Sequence, residues 1–356
     1  MSTRPKVFRG SSPYRLSLLL LFLLLLLVPL TSSAQDKPKP YVIKWGTIAP
    51  ENTVWGDIIN QASREIEKQS NGRIKMVWYF GAVMGDEPDE IRKIRLNQLQ
   101  GLALLSVGLS KLAPEMIVFS LPYLFKNYQE VDCVFDRAWP LVEKVMAEKG
   151  FMVFGRADVG FSVLFSKNDL RTMNDFKKAK FWSWIGMEET INAVAELFGI
   201  EKLYPLALPE VLTALQTGMV DTVFATYYTS IALQWNTQIK YMSDVTQFGG
   251  AYGPAMLILK KDLYDSLTPD LQKIIKEVCG KLFAPLREQL RQDEENAKNS
   301  LLKRGIKMMQ IDPALVADTK VRSQAIYKEW EGTYYPAWFL EGILQARNQC
   351  RAEPAK

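Results

Sequence analysis

The residues able to do chemistry are few, and their absences say as much as their presence. The 356-residue chain has no histidine, which removes the usual general base, the Ser-His-Asp arrangement and most zinc sites together. Cys133, Cys279 and Cys350 lie too far apart to form a metal motif. One disulfide with a spare thiol, or three free cysteines, both fit an exported chain. Ser166-Lys167 imitates a nucleophile and base, but adjacent strand residues point to opposite faces. The acids of "GDEPDE" (Asp86, Glu87, Asp89 and Glu90) stand where a helix begins, and acids there favour the positive end of the helix dipole. The glycine-rich "FGGAYGP" (248–254) lacks the strand-to-helix setting of a phosphate loop. No catalytic constellation, metal site or cofactor motif emerges. The feature that asks for an explanation is apolar: Trp182 and Trp184 in "KFWSWIGMEET" (180–190) share one face of a short strand, and that face is either core or a binding site.

The elements that would position these side chains alternate in type. "YVIKWGT" reads as a strand, "NTVWGDIINQASREIEKQS" as an amphipathic helix with Ile58, Ile59, Ala62 and Ile66 near helical spacing, "GRIKMVWYF" as a strand and "PDEIRKIRLNQLQ" as a helix. "LALLS" follows as a short buried strand, then a helix around "QEVDCVFDRAWPLVEKVMAEKG" and the strands "FMVFGR" and "FSVLFSK". The strand holding the tryptophans, the helix "LPEVLTALQTG", the strand "DTVFAT" and a strand near "PAMLILK" complete the series. Such alternation predicts parallel α/β layers. From Pro269 to about Gly305 the chain reads as one long charged helix, able to bridge two lobes, and another follows Pro313.

Composition limits compartment and partners. Arg4, Lys6, Arg9 and Arg15, with no acid among them, precede "LSLLLLFLLLLLVPL" and the small residues Ser32 and Ala34, the pattern of a secretory signal over residues 1–34. The rival reading is an uncleaved anchor, since the apolar run is only a little short of a roughly 20-residue span. Export to a periplasm follows from the first. Without the leader's four basic residues, the 44 basic groups of the chain come close to the 39 acidic ones, so the basic character belongs to the leader and no nucleic-acid partner is implied. The remaining length exceeds what one hydrophobic core usually serves, and two domains are expected.

The order of segments is similar to one family. "LPEVLTALQTGMVDTV" (208–223) resembles the helix-then-strand pattern E-V-x-x-A-L-Q-x-G-x-V-D-G of the extracytoplasmic solute-binding proteins of TRAP transporters, the DctP type. "SNGRIKMVWYFGAVMGDEPDEI", "PEMIVFSLPYLF" and "LTPDLQKIIKEV" look like family segments in the expected order, and the likeness spans roughly residues 40 to 335. The resemblance implies a two-lobed Venus-flytrap fold with discontinuous domains and a long helix shared by both lobes: lobe one from 40–159 plus 248–287, lobe two from 160–247 plus 288–340, and 341–356 as a C-terminal tail. It further implies a small solute bound between the lobes, delivery to integral membrane permease subunits, no catalysis, no cofactor, and a monomer or homodimer.

Members usually hold a carboxylate with an arginine on the strand of "D-L-K-G-L-K-I-R-V". Here "DFKKAKFWS" (175–183) matches, and the arginine position holds Trp182. A second family arginine corresponds to Ser162 in "GFSVLF", while "VDTVFA" places Phe224 and Ala225 where Glu and Asn are common. Leu104 and Leu105 follow "NQLQG", Ile48 ends the first strand, Leu208 heads its stretch, and only Glu87 stays charged among these places. Tyr227 and Tyr228 add aromatic surface, and Trp184 and Tyr228 serve equally well as core. A bidentate arginine is what offsets desolvating a ligand carboxylate, so its replacement points to a neutral, aromatic or lipid-like ligand. Two alternatives stand beside this: an organic acid held by a relocated Arg156 or Arg171, and a lipid carrier or sensor without a permease.

Overall fold

A computed structural model of the chain describes residues 2–5, 39–185, 188–245, 247 and 249–353, with the Glu189 side chain left aside. Apart from residues 2–5, the expected leader over 1–34 lies outside the described residues, as do Gly186 and Met187 beside the tryptophan strand and Phe248 of the glycine-rich loop.

In chain order the strands are β1 (Tyr41–Thr47), β2 (Ile74–Tyr79), β3 (Gly101–Leu104), β4 (Phe151–Phe161), β5 (Val163–Ser166), β6 (Lys180–Trp184), β7 (Lys202–Leu206), β8 (Thr222–Ala225), β9 (Tyr241–Met242), β10 (Tyr252–Lys260) and β11 (Lys307–Met308). The helices are α1 (Val54–Gln69), α2 (Glu87–Arg95), α3 (Ser106–Leu112), α4 (Tyr128–Glu148), α5 (Met173–Lys178), α6 (Glu188–Phe198), α7 (Val211–Thr217), α8 (Tyr227–Ala232), α9 (Lys261–Ser266), α10 (Pro269–Lys303), α11 (Pro313–Glu329) and α12 (Ala337–Ala352). Local chemistry sets several of these bounds. Thr53 caps α1 by accepting from the Gly56 N–H, Pro269 opens α10 where a missing N–H costs nothing, and Gly218 ends α7 in the left-handed region at φ 75°.

The strands form two sheets, β2-β1-β3-β10-β4 and β11-β9-β5-β8-β6-β7, in the two-lobed arrangement. The alternation predicted parallel layers, but both sheets are mixed. β10 runs antiparallel to β3 and β4, and β5 runs antiparallel to β8 and β9. The reason is connectivity. β5 is entered straight from β4 of the other sheet through Ser162, and β10 is entered from β9 of the other sheet through residues 243–251, so neither has a crossover helix to turn it parallel. Gly160, at φ 116°, stands just before the first crossing, where an added Cβ would meet the Tyr128 hydroxyl at 3.0 Å.

α10 is the third connection, about 50 Å long at 1.5 Å per residue. Leu271, Ile275, Val278, Cys279, Phe283 and Leu286 pack with Ile43, Trp45 and Leu257 of the first sheet. Farther along, Ala297 and Leu301 pack with Val163, Trp182 and Val223 of the second. Residues 341–352 are not a tail. They belong to α12, which buries Phe339, Leu340, Ile343 and Ala346 and is tied to α4 by a Cys133–Cys350 disulfide. Cys279 is the buried free thiol, and burial pushes it up to about 12.

Candidate functional site

Two adjacent chambers lie between the ends of the sheets. The smaller, about 160 Å³, is lined by Ser162 at the crossing, Trp182 and Trp184 of β6, Phe224 and Ala225 of β8, and Trp235 and Tyr252. The larger, about 490 Å³, opens against Ile48, Trp55, Ala103, Met256, Phe283, Leu290 and Glu294. Leu105, Val159, Leu208 and Thr229 line both.

Trp182 is 4% exposed, because its ring is held on three sides. It stacks on Trp184 at 5.7 Å, meets the edge of Trp235 at 5.2 Å, and donates its indole N–H to the Leu206 carbonyl at 3.0 Å. It is therefore core and chamber wall at once. Trp184 is half-buried and donates to Asp86 Oδ2 at 3.2 Å, linking a strand of the second sheet to the start of α2, which packs on the first. Phe224 and Ala225 are consecutive and leave β8 on opposite faces. Both reach the small chamber because it lies over the strand end, with Phe224 stacked on Phe181 at 5.5 Å.

Eight of the ten residues singled out from sequence thus converge on the chambers: Trp182, Trp184, Phe224, Ala225, Ser162, Leu105, Leu208 and Ile48. Two do not. Glu87 is fully buried, and its carboxylate accepts from the backbone N–H groups of Leu105 at 2.5 Å and Gly108 at 2.6 Å, so it pins the N-terminus of α3 from behind. Tyr227 is buried with its hydroxyl donating to the Ser243 carbonyl at 3.0 Å. Tyr228, left open between core and site, lines the larger chamber.

The arginines considered as substitutes line neither chamber. Arg156 is buried and both terminal nitrogens of its guanidinium are engaged, with Asp158 at 2.6 Å, the Tyr252 hydroxyl at 2.6 Å and Asp132 at 2.5 Å. Arg291 of α10 completes the cluster on Asp158 at 2.7 Å and Asp132 at 2.6 Å. Arg171 is exposed and pairs with Asp169 at 2.6 Å. Among the described residues lining the chambers there is no lysine or arginine, and the charged ones are Asp158 and Glu294. Asp158 is matched by its two arginines. Glu294 is 8% exposed and accepts from Tyr227 N at 3.0 Å and Tyr228 N at 2.8 Å, the first turn of α8. Burial raises its carboxyl to about 7 against the pull of the Thr226, Tyr228 and Tyr227 hydrogen bonds. Sequence reading missed Glu294 because "RQDEENAK" looks like the solvated face of a long helix, and it missed Asp158 because two of its partners, Tyr252 and Arg291, come from elements far along the chain.

Each sheet therefore presents a strand-to-helix turn to the chambers, β3 to α3 and β8 to α8, and each helix start is occupied by a carboxylate of the protein itself. A helix N-terminus is a ready anion site. Here both are taken.

With this geometry in place, the relatives are informative. A family model described as bacterial extracellular solute-binding protein, family 7, matches residues 45–333, and the chain belongs to that family. It is a solute-binding receptor by that membership, in a family of periplasmic proteins. A solute-binding protein of Verminephrobacter eiseniae is 28% identical over 254 residues, 70% of this chain and 72% of that protein. The C4-dicarboxylate-binding periplasmic protein DctP of Rhodobacter capsulatus is 25% identical over 250 residues, 68% and 72% of the two chains. In three dimensions the fold matches a TRAP periplasmic solute-binding protein from Xanthobacter autotrophicus with bound β-D-galacturonate, at a TM-score of 0.77, 20% identity, and coverage of 86% of this chain and 99% of that one. An extracytoplasmic solute receptor of Bordetella pertussis binding pyroglutamic acid gives 0.77, 16%, 86% and 99%.

Proposed function

We propose that this protein is the periplasmic receptor of a TRAP-type transporter and that its ligand is an uncharged, largely apolar small molecule, closed between the two sheets and passed to membrane permease subunits. The observation that carries the ligand class is the charge inventory of the chambers: aromatic rings, aliphatic side chains, neutral hydroxyls and two carboxylates, with no cation among the described lining residues. A carboxylate ligand would be desolvated without a cationic partner, which costs several kcal/mol and on the order of a thousandfold in affinity. The named relatives take galacturonate, pyroglutamate and C4-dicarboxylates, so this receptor would have kept the fold and changed the class of solute. The relocated-arginine alternative has no support in the chambers, since Arg156 is consumed by Asp132 and Asp158 and Arg171 by Asp169.

The test has two arms. Native mass spectrometry of protein purified from periplasm, followed by solvent extraction, should release an uncharged apolar molecule. Calorimetric titration with galacturonate, pyroglutamate and succinate should show no binding in the micromolar range, and micromolar binding of any of the three would overturn the proposal.

A further inference from the structure

The larger chamber holds a feature that an apolar ligand alone does not use. Glu294 reaches it from α10, the helix shared by both sheets, and stands among Ile48, Trp55, Met256, Phe283 and Leu290, with Tyr228 and Thr229 beside it. Its carboxylate takes one backbone N–H on each oxygen, Tyr227 on Oε2 and Tyr228 on Oε1. A carboxylate offers about four acceptor positions, so these two bonds and the Thr226 side chain fix its orientation and leave about one acceptor position at the chamber wall. Among the described residues no ion pair engages it: Arg291 one turn before is spent on Asp132 and Asp158, and Lys298 one turn after on Asp244. A nine-tenths buried acid in an apolar wall is costly unless something donates to it.

We infer that Glu294 is a specificity-determining residue of the larger chamber, accepting a hydrogen bond from a hydroxyl group on an otherwise apolar ligand. This rests on the proposed receptor function and sharpens it from an apolar solute to an apolar alcohol. A hydroxyl fits better than an ammonium for a countable reason. It has one donor to satisfy, whereas an ammonium has three, and the other carboxylate on this chamber, Asp158, is already held by Arg156 and Arg291. The chamber itself, about 490 Å³, is within the range of sites that enclose whole small molecules, and the half-buried Tyr228 and Thr229 beside Glu294 can serve the oxygen of the same hydroxyl.

The experiment uses four probes on one skeleton, 2-naphthalenemethanol, 2-methylnaphthalene, 2-naphthylmethylamine and 2-naphthoate, titrated against the delipidated full-length mature protein by tryptophan fluorescence. The alcohol should bind about tenfold tighter than the hydrocarbon, the scale of one hydrogen bond to a charged acceptor, and tighter than the amine. In Glu294→Leu, with Glu294→Gln as the conservative companion and circular dichroism to verify folding, that advantage should disappear in the first and shrink in the second. Equal affinity for alcohol and hydrocarbon in the native protein, an amine that equals or exceeds the alcohol, or no binding of the alcohol would each overturn the inference. If 2-naphthoate binds tightest, the apolar-ligand reading itself has failed.

Discussion

Substituting Glu90 tests how far the first sheet tolerates an unmatched acid. α2 turns both Glu87 and Glu90 inward, and both are fully buried. Glu87 is held by two backbone N–H groups, but neither oxygen of Glu90 has a hydrogen-bond partner among the described residues, and the bare Cα of Gly46 backs it so closely that a Cβ would fall 2.7 Å from Oε1. Burial, then the charges of Glu87 and Asp86, push the Glu90 carboxyl up to about 8 against the pull of Lys93. Burial pushes Glu87 up to about 7. The sign follows from linkage: a folded pKa above the unfolded value of about 4.5 means the folded state holds the proton more tightly, so the stabilisation is complete below pH 4.5 and is lost as pH rises to about 8. Within that window the slope for one group is about 1.4 kcal/mol per pH unit. Glu90→Gln removes the titration and leaves a buried amide without partners, so the variant should be the weaker protein in acid and the stronger one in mild base. Urea unfolding followed by circular dichroism at about pH 5.5, 6.5 and 7.5 should show the wild-type advantage falling by about 3 kcal/mol across the series. A difference between the two proteins that stays flat with pH would refute the reasoning.

Trp182→Ala removes a ring that is 4% exposed and should cost about 4 kcal/mol of stability, near 6 °C in Tm for a chain of this size. Trp182→Phe keeps the wall, loses the donor to Leu206, and should cost about 1 kcal/mol; scanning calorimetry measures both, and an unchanged Tm in the alanine variant would mean the ring is not packed as described. Cys350→Ser opens a link that spans 217 residues of sequence and should lower stability by about 2–4 kcal/mol, with a reducing agent reproducing the loss in the native protein and having no effect on the variant.

Periodicity carried most of the fold because it is a local property. The ends of α1, α4 and α10 follow from Thr53, Asn127 and Pro269 at their starts, all readable in sequence. Strand direction was not readable, since β5 and β10 are antiparallel only because each is entered from the opposite sheet. The C-terminal helix was missed for a related reason: its partner is α4, some 200 residues earlier, and nothing within "FLEGILQARNQC" announces that contact. The aromatic and aliphatic residues of the chambers were legible as a group, because each stands at the end of an element whose type the pattern fixes. Which of them also serve as core was not, and Trp182 does both.

The acids show where sequence reading stops. Glu87 follows Asp86 at the head of its own helix, and the natural inference is that it favours its own dipole or faces a ligand. Its partners are instead the first turn of α3, 18 and 21 residues on. Glu294 looks like one of several charges on the outside of a long helix, yet it reaches the first turn of α8, 66 and 67 residues before it. The two play the same part on opposite sides of the cleft. In each, a short helix whose N-terminus faces the chambers would by itself attract an anion, and a buried carboxylate from another helix occupies that end. With those ends occupied and no cation among the described lining residues, the chambers lack both an ion-pair partner and a free helix N-terminus for a ligand carboxylate. The difference between the two acids is where each stands. Glu87 is sealed behind Leu105, whereas Glu294 opens on the larger chamber, so only the second is placed to meet a ligand's hydrogen-bonding group.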